Sequence, residues 1–170
     1  MARWYARACL IAVVLTAWPQ PAAAKGPVDA IVIRGGGLQS PVTITERSAL
    51  GDFDPWSGRF IDWQRRGPRA ASSAPLDSVR SYEVLFYMHW RGRHSALDRD
   101  GMALVYDVRY VPGLAGEPGW VYLPGRDDPY RVNRSTIERD GEDGAWHHAS
   151  AAFSALVQRV TKSSYSDGAR

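Results

Sequence analysis

Cysteine, lysine and long apolar runs are scarce in this chain of 170 residues. Cys9 is the single cysteine, and Lys25 and Lys162 are the two lysines. One thiol cannot form an internal disulfide or a thiolate metal centre. The lack of a basic run excludes the electrostatic footprint of a nucleic-acid-binding protein. The low-polarity stretch at 8–18 spans about 11 residues, fewer than the roughly 20 that a membrane-spanning helix needs.

The N-terminal segment has the three-part pattern of a secretory signal peptide. Arg3 and Arg7 provide a positively charged start, the low-polarity stretch follows, and three alanines end the segment at Ala24. We therefore predict a signal peptide at 1–24 and a mature protein that is secreted or periplasmic, with no membrane span after cleavage. The alternative is that the segment stays uncleaved and tethers the domain.

Removal of the signal peptide changes the chemistry that is left. The sole cysteine is lost, and the 21 basic residues fall to 19 while 18 acidic residues remain, so the formal charge falls from +3 to +1. About 146 residues remain, which is enough for one domain with its own hydrophobic core. We predict a single domain at 25–161 and a flexible tail at 162–170.

Alternation of apolar side chains with period two predicts an antiparallel sheet. The strongest signal is a long central hairpin, whose strands start at Tyr82 and Met102 and are joined by a turn at 98–101. Ser150 is a good helix cap, and apolar residues follow it at helical spacing. The predicted fold class is α+β, with about five strands and a C-terminal amphipathic helix packed on one face. Besides the hairpin, the main strands are predicted at 28–34, 41–45 and 119–123, and two short additional strands are predicted at 130–132 and 145–148.

Three connecting segments complete the predicted fold. The three glycines at 35–37 form a turn, because glycine tolerates positive φ, and a strand rather than a phosphate-binding helix follows them. Thr45 is predicted to cap a short helix that continues to Leu50. The segment 64–76 has no periodicity and is predicted to be a flexible loop.

The aromatic loop at 51–63 is the predicted ligand-binding segment. Flat aromatic faces beside hydrogen-bonding groups suit a sugar or a peptide. The alternative, which the absence of disulfides favours, is that the rings turn inward and plug the open end of the sheet. The predicted ligand-binding residues are Phe53, Asp54, Trp56, Arg59 and Phe60.

The histidines and acids form no recognisable catalytic or metal-binding pattern. His147 and His148 are adjacent, so on a strand they point to opposite faces, whereas zinc needs three or four convergent ligands. We predict no metal, no cofactor and no assigned catalytic residue. The predicted function is an exported non-enzymatic binding or envelope-associated module, with a glycan or peptide as its ligand. The alternative is a small secreted hydrolase that uses Asp54 with His89 or His148.

Four stretches of the chain resemble uncharacterised exported bacterial proteins. They are PVTIT at 41–45, DPWSGRFID at 54–62, YDVRYVP at 106–112 and GWVYLPG at 119–125. The resemblance implies export and a single β-rich domain, and it supplies no ligand or catalytic residue. The preference for arginine over lysine also suits a bacterial genome of high GC content.

Overall fold

The computed structural model describes residues 27–65, 80–89, 101–114, 116–128 and 141–167. These residues form one six-stranded sheet in the order β2-β1-β3-β4-β5-β6, in which every neighbouring pair is antiparallel. The predicted α+β class and the C-terminal helix are confirmed. The elements are β1 (Ala30–Gly35), β2 (Val42–Ile44), α1 (Arg47–Asp52), β3 (Tyr82–His89), β4 (Met102–Val111), β5 (Trp120–Leu123), β6 (Ala145–His148) and α2 (Ala151–Asp167).

Several predicted features lie outside the described residues. They are the signal peptide at 1–24, most of the flexible loop at 64–76, most of the hairpin turn at 98–101 and the strand at 130–132. The glycine turn at 35–37 is described, and all three glycines have positive φ, as predicted. Gly36 is required there for a second reason, because a β-carbon at this position would overlap the ring of Tyr82.

The central hairpin of β3 and β4 departs from strict alternation at one point. Phe86 pairs with Tyr106, but the register shifts at the next residue and Tyr87 pairs with Leu104. An extra residue in one strand reverses the faces of the side chains beyond it. Leu104 therefore packs with Tyr87 on the face opposite to Tyr106, which the even-numbered alternation did not predict.

One face of the sheet is covered by α1, the aromatic loop and α2, and we call it the helical face. Its core consists mainly of aliphatic and aromatic side chains. The Phe153 ring of α2 meets the Tyr110 ring edge-on, with 5.6 Å between centroids and an interplanar angle of 88°. Such aromatic pairs stabilise the fold beyond the apolar area that they bury.

Both helices differ from the prediction at one end. Helix α1 has Glu46 as its N-cap residue instead of the predicted Thr45, and no side chain caps it. Helix α2 begins after Ser150, whose Oγ accepts a hydrogen bond from the Phe153 N–H at 3.2 Å, as predicted. The helix then continues to Asp167, past the predicted start of the tail at Lys162, because no glycine or proline interrupts it. No described helix is both long and apolar enough to span a lipid bilayer.

Candidate functional site

Phe53 and Phe60, two of the predicted ligand-binding residues, lie in the core of the helical face. Phe60 is fully buried and packs on Phe86, with 5.8 Å between ring centroids. Phe53 is 6% exposed and packs on Phe153 at 5.4 Å. These two rings fill the space between the sheet and α2, which is the inward orientation that the alternative interpretation requires.

The other three predicted residues lie nearer to the surface. Asp54 Oδ1 accepts hydrogen bonds from the backbone N–H groups of Trp56 at 3.0 Å and Ser57 at 2.9 Å. This carboxylate oxygen therefore holds a turn, as an aspartate commonly does. Trp56 is partly buried against the core. Arg59 is exposed and lies 3.7 Å from the carboxylate of Asp52.

A groove of about 360 Å³ lies between α1 and α2. Its volume is within the range of roughly 300–1,000 Å³ that small-molecule sites occupy. The buried side chains of Ala49, Phe53 and Leu156 contribute apolar surface. The exposed charged side chains at its rim are Glu46, Asp52 and Arg159. Phe53 thus links the aromatic loop to a surface that a ligand can reach.

The second face of the sheet, opposite to the helices, carries a line of charged and aromatic residues. Arg34 pairs across the strands with Glu83, Glu83 with Arg109, Arg109 with Tyr122, and Tyr122 with Trp146. Directly paired residues point to the same face, so these five side chains form one row across β1, β3, β4, β5 and β6. With about 4.8 Å between strands, this second-face row is about 19 Å long.

Asp107 is buried beside this row. It precedes Arg109 by two residues on β4, so both side chains point to the second face, and it is 1% exposed. Burial and the neighbouring carboxyl of Glu83, which is hydrogen-bonded to it, raise the pKa of Asp107 to about 8. The positive charges of Arg34 and Arg109 oppose that increase. Asp107 is therefore mostly protonated at neutral pH.

Glu83 connects the buried acid to the surface. Its carboxylate accepts a hydrogen bond from Nε of Arg34, and this ion pair is partly exposed, with side-chain exposures of 28% for Glu83 and 54% for Arg34. Asp107 can therefore orient Glu83 from the inside, while Glu83 and Arg34 remain partly accessible to solvent.

Two tryptophan–histidine pairs flank the edge strand β6. The ring of His147 lies 5.5 Å from that of Trp63, and the ring of His148 lies 3.9 Å from that of Trp120. His147 pairs with a residue of the helical-face core and His148 with Trp120, so the two histidines point to opposite faces as predicted. Burial and the positive charge of Arg65 lower the pKa of His148, which keeps its ring neutral at neutral pH.

The residues of the predicted hydrolase site are dispersed. His89 lies at the end of β3, where its Nδ1 is 3.0 Å from Asp29 Oδ2. On β4, Met102 lies opposite to His89, whereas Val111 lies opposite to the Trp120–His148 pair. Met102 and Val111 are nine residues apart along β4, so His89 lies about 30 Å from the Trp120–His148 pair.

The hydrolase residues thus do not share a site, because Asp54 holds its turn on the helical side of the sheet. Among the residues that the structure describes, no group of three histidine, aspartate or glutamate side chains lies close enough to hold a metal ion.

The pair of Glu83 and Asp107 was not singled out from the sequence. A signal was present, because both are acids inside strands of strong apolar alternation. However, the two side chains lie on the same face only in one register of β3 against β4, because a slip of one residue moves a side chain to the opposite face. The pairing of β3 with β4 decides which odd-numbered positions become neighbours.

Comparison with protein-family models, curated proteins and solved structures finds no match to this chain. The groove and the second face are therefore the features of the molecule that indicate a function.

Proposed function

We propose that the mature protein is an exported, non-enzymatic binding module that holds a glycan on the second face of its sheet. The observation that carries this proposal is the second-face row, in which the charged side chains of Arg34, Glu83 and Arg109 continue directly into the aromatic side chains of β5 and β6. Charged hydrogen-bonding groups and rings thus lie side by side on one face of the sheet, where Tyr122 and Trp146 are buried and the neighbouring Trp120 and His148 are partly exposed.

The chemistry of a sugar matches both halves of this surface. The C–H face of a sugar ring packs against an aromatic ring, and its hydroxyl groups bond to carboxylates and guanidinium groups. Trp120 and His148 are half-buried and stacked, so they offer a ring surface at the end of the row. The lowered pKa of His148 keeps this platform uncharged.

The buried members of the second face support the exposed ones. Tyr122 and Trp146 are nearly buried, and their rings lie 5.1 Å apart beside the Trp120–His148 pair. The Tyr122 hydroxyl also donates a hydrogen bond to Asp128 Oδ2 at 2.8 Å, which fixes the orientation of its ring. A platform that is held rigid in this way loses little side-chain entropy when it binds a ligand.

The binding role is tested by calorimetric titration of the mature protein with chitotetraose and with soluble peptidoglycan fragments. We expect saturable binding that Trp120→Ala weakens about ten-fold or more, because truncated aromatic residues often cost more than 1 kcal/mol at an interface. Leu114→Ala is the control, since Leu114 is 86% exposed on the loop between β4 and β5 and lies outside the row. Equal affinity of Trp120→Ala and the wild type, or no binding of either glycan, refutes the glycan site.

Export is the second part of the proposal, and it is supported by the signal-peptide pattern at 1–24. N-terminal sequencing of the protein recovered from outside the cytoplasm tests it. Lys25 as the first residue indicates cleavage, Met1 indicates a retained tether, and recovery only from the cytoplasm contradicts export.

A second candidate function is a hydrolase, which one observation favours. Asp107, which is hydrogen-bonded to Glu83, has the raised pKa that one acid of a proton-sharing pair shows. Glycosidase carboxyl groups are at least about 5 Å apart, so a hydrogen-bonded pair fits the shared-proton arrangement of peptide hydrolysis better. The 1% exposure of Asp107 speaks against catalysis, because a substrate reaches only Glu83.

Labelled casein distinguishes the two functions. A hydrolase cleaves it with a pH profile that changes near pH 8, and both Glu83→Gln and Asp107→Asn remove the activity. A binding module leaves casein intact between pH 4 and pH 9, and that result eliminates the second candidate.

A further inference from the structure

We propose that the groove between α1 and α2 is a second binding site, which takes a short peptide of net positive charge. This site lies on the helical side of the molecule, opposite to the second-face row. It therefore does not depend on glycan binding, and it rests on observations of its own.

The charges at the rim of the groove select the ligand. Helix α1 and its N-cap contribute the carboxylates of Asp52 and Glu46, and α2 contributes the guanidinium group of Arg159. Arg159 forms no ion pair with any residue that the structure describes. Two negative charges and one positive charge complement a ligand with two ammonium groups and one carboxylate.

The partners that the two acids already have are weak enough to be displaced. The Asp52–Arg59 pair spans 3.7 Å, and both side chains are about two-thirds exposed. Glu46 Oε1 accepts a hydrogen bond from the Ser48 hydroxyl at 2.8 Å on the exposed surface. Exposed contacts of this kind add little stability, so a ligand ammonium group can replace or join them.

The apolar part of the groove gives the ligand a hydrocarbon contact. Phe53 and Leu156 line its base, and the small part of each residue that stays accessible, 6% and 5%, can contact a methyl or methylene group. Helix α2 presents only the small side chains of Ala152 and Ala155 beside them. A larger side chain at either alanine would fill the groove without removing a charge.

The dipeptide Ala-Lys carries the required groups, and Ala-Glu is the probe of reversed charge. We expect a titration followed by amide chemical shifts to move the signals of Ala49, Phe53 and Leu156 and to saturate at millimolar concentrations. Ala-Glu should bind at least five-fold more weakly. Asp52→Asn and Arg159→Gln should each weaken Ala-Lys binding about two- to five-fold, which is the range for exposed ion pairs.

Two further variants separate a ligand site from a general charge effect. Ala155→Phe blocks the groove and should abolish the shifts, although the variant folds, because position 155 is exposed on a helix. Arg47→Gln changes an exposed charge of α1 outside the groove and should leave the affinity for Ala-Lys unchanged.

Three results would overturn the proposal: no saturable shift with Ala-Lys, equal binding of Ala-Glu, or undiminished binding by Ala155→Phe. Trp120→Ala should bind Ala-Lys as the wild type does. Failure of the groove site is therefore distinguishable from failure of glycan binding on the second face.

Discussion

Both faces of the sheet bury apolar side chains, but the second face also buries a carboxyl group. On the helical face, Phe60 and Phe153 lie 5.9 Å apart between ring centroids and close the core without a charged residue. On the second face, Asp107 is equally inaccessible but lies among Glu83, Arg34 and Arg109. Apolar burial thus stabilises both faces, and within the described residues the buried carboxyl group lies on the second face.

Burial of a ring and burial of a carboxylate change the free energy of folding in opposite directions. An apolar ring gains free energy when it leaves water, but an ionised carboxylate loses it. The pKa of Asp107 rises from 3.8 to about 8, and each unit corresponds to about 1.4 kcal/mol against the charged form. Burial of Asp107 therefore lowers the stability of the fold at high pH.

The largest effect that we expect comes from the helical face. Phe60→Ala should lower the free energy of unfolding by about 3–5 kcal/mol, because it leaves a cavity among three aromatic neighbours. Urea denaturation followed by circular dichroism measures this loss. The exposed Leu114→Ala is the control and should change stability by less than about 0.5 kcal/mol. A similar small change for Phe60→Ala would mean that the loop is not part of the core.

The second-largest effect that we expect is a pH-dependent change in the free energy of unfolding, caused by Asp107 on the second face. The folded pKa of Asp107 lies above its unfolded value, so its stabilising contribution is complete below pH 3.8 and is lost as the pH rises toward 8. Between pH 5 and pH 8 the wild type should therefore lose about 2–4 kcal/mol relative to Asp107→Asn, which cannot ionise.

Chemical denaturation of both proteins at the two pH values measures this difference. Because all other titrating groups are shared, the difference between the wild type and Asp107→Asn reports the Asp107 carboxyl together with its interaction with Glu83. A constant difference at both pH values would show that Asp107 titrates in the folded protein as it does in the unfolded chain.

The smallest of the three effects tests a polar contact inside the helical face. The buried Ser154 Oγ accepts a hydrogen bond from the Gly119 N–H at 3.0 Å. Ser154→Ala should cost about 1–3 kcal/mol, because it leaves this buried donor without its partner. Ser163→Ala, on the exposed part of the same helix, is the matched control. Equal stability of the two variants would show that water replaces the Ser154 hydroxyl.

The sheet could be predicted from sequence because the signal is local. Alternation marked β2, β3 and β4, and the Ser150 cap marked the start of α2. The bulge after Phe86 was not predictable in this way, because an extra residue is visible only when the partner strand is in register.

The candidate sites were harder to predict than the fold. The aromatic loop was recognised as unusual, but only its packing shows that Phe53 and Phe60 face the core while Arg59 faces solvent. The acids of the second face are separated by more than twenty positions along the chain. Their proximity comes from strand pairing, which composition does not reveal.

The sequence by itself determined the α+β class, the antiparallel pairing of the long hairpin and the amphipathic helix, because each follows from side-chain periodicity over a few residues. Tertiary structure alone decided which of the aromatic rings became core, and it brought Arg34, Glu83 and Asp107 together. The physical reason is that the burial and the pKa of a side chain depend on the residues around it. Arg34, Glu83 and Asp107 become neighbours only when β1, β3 and β4 pair.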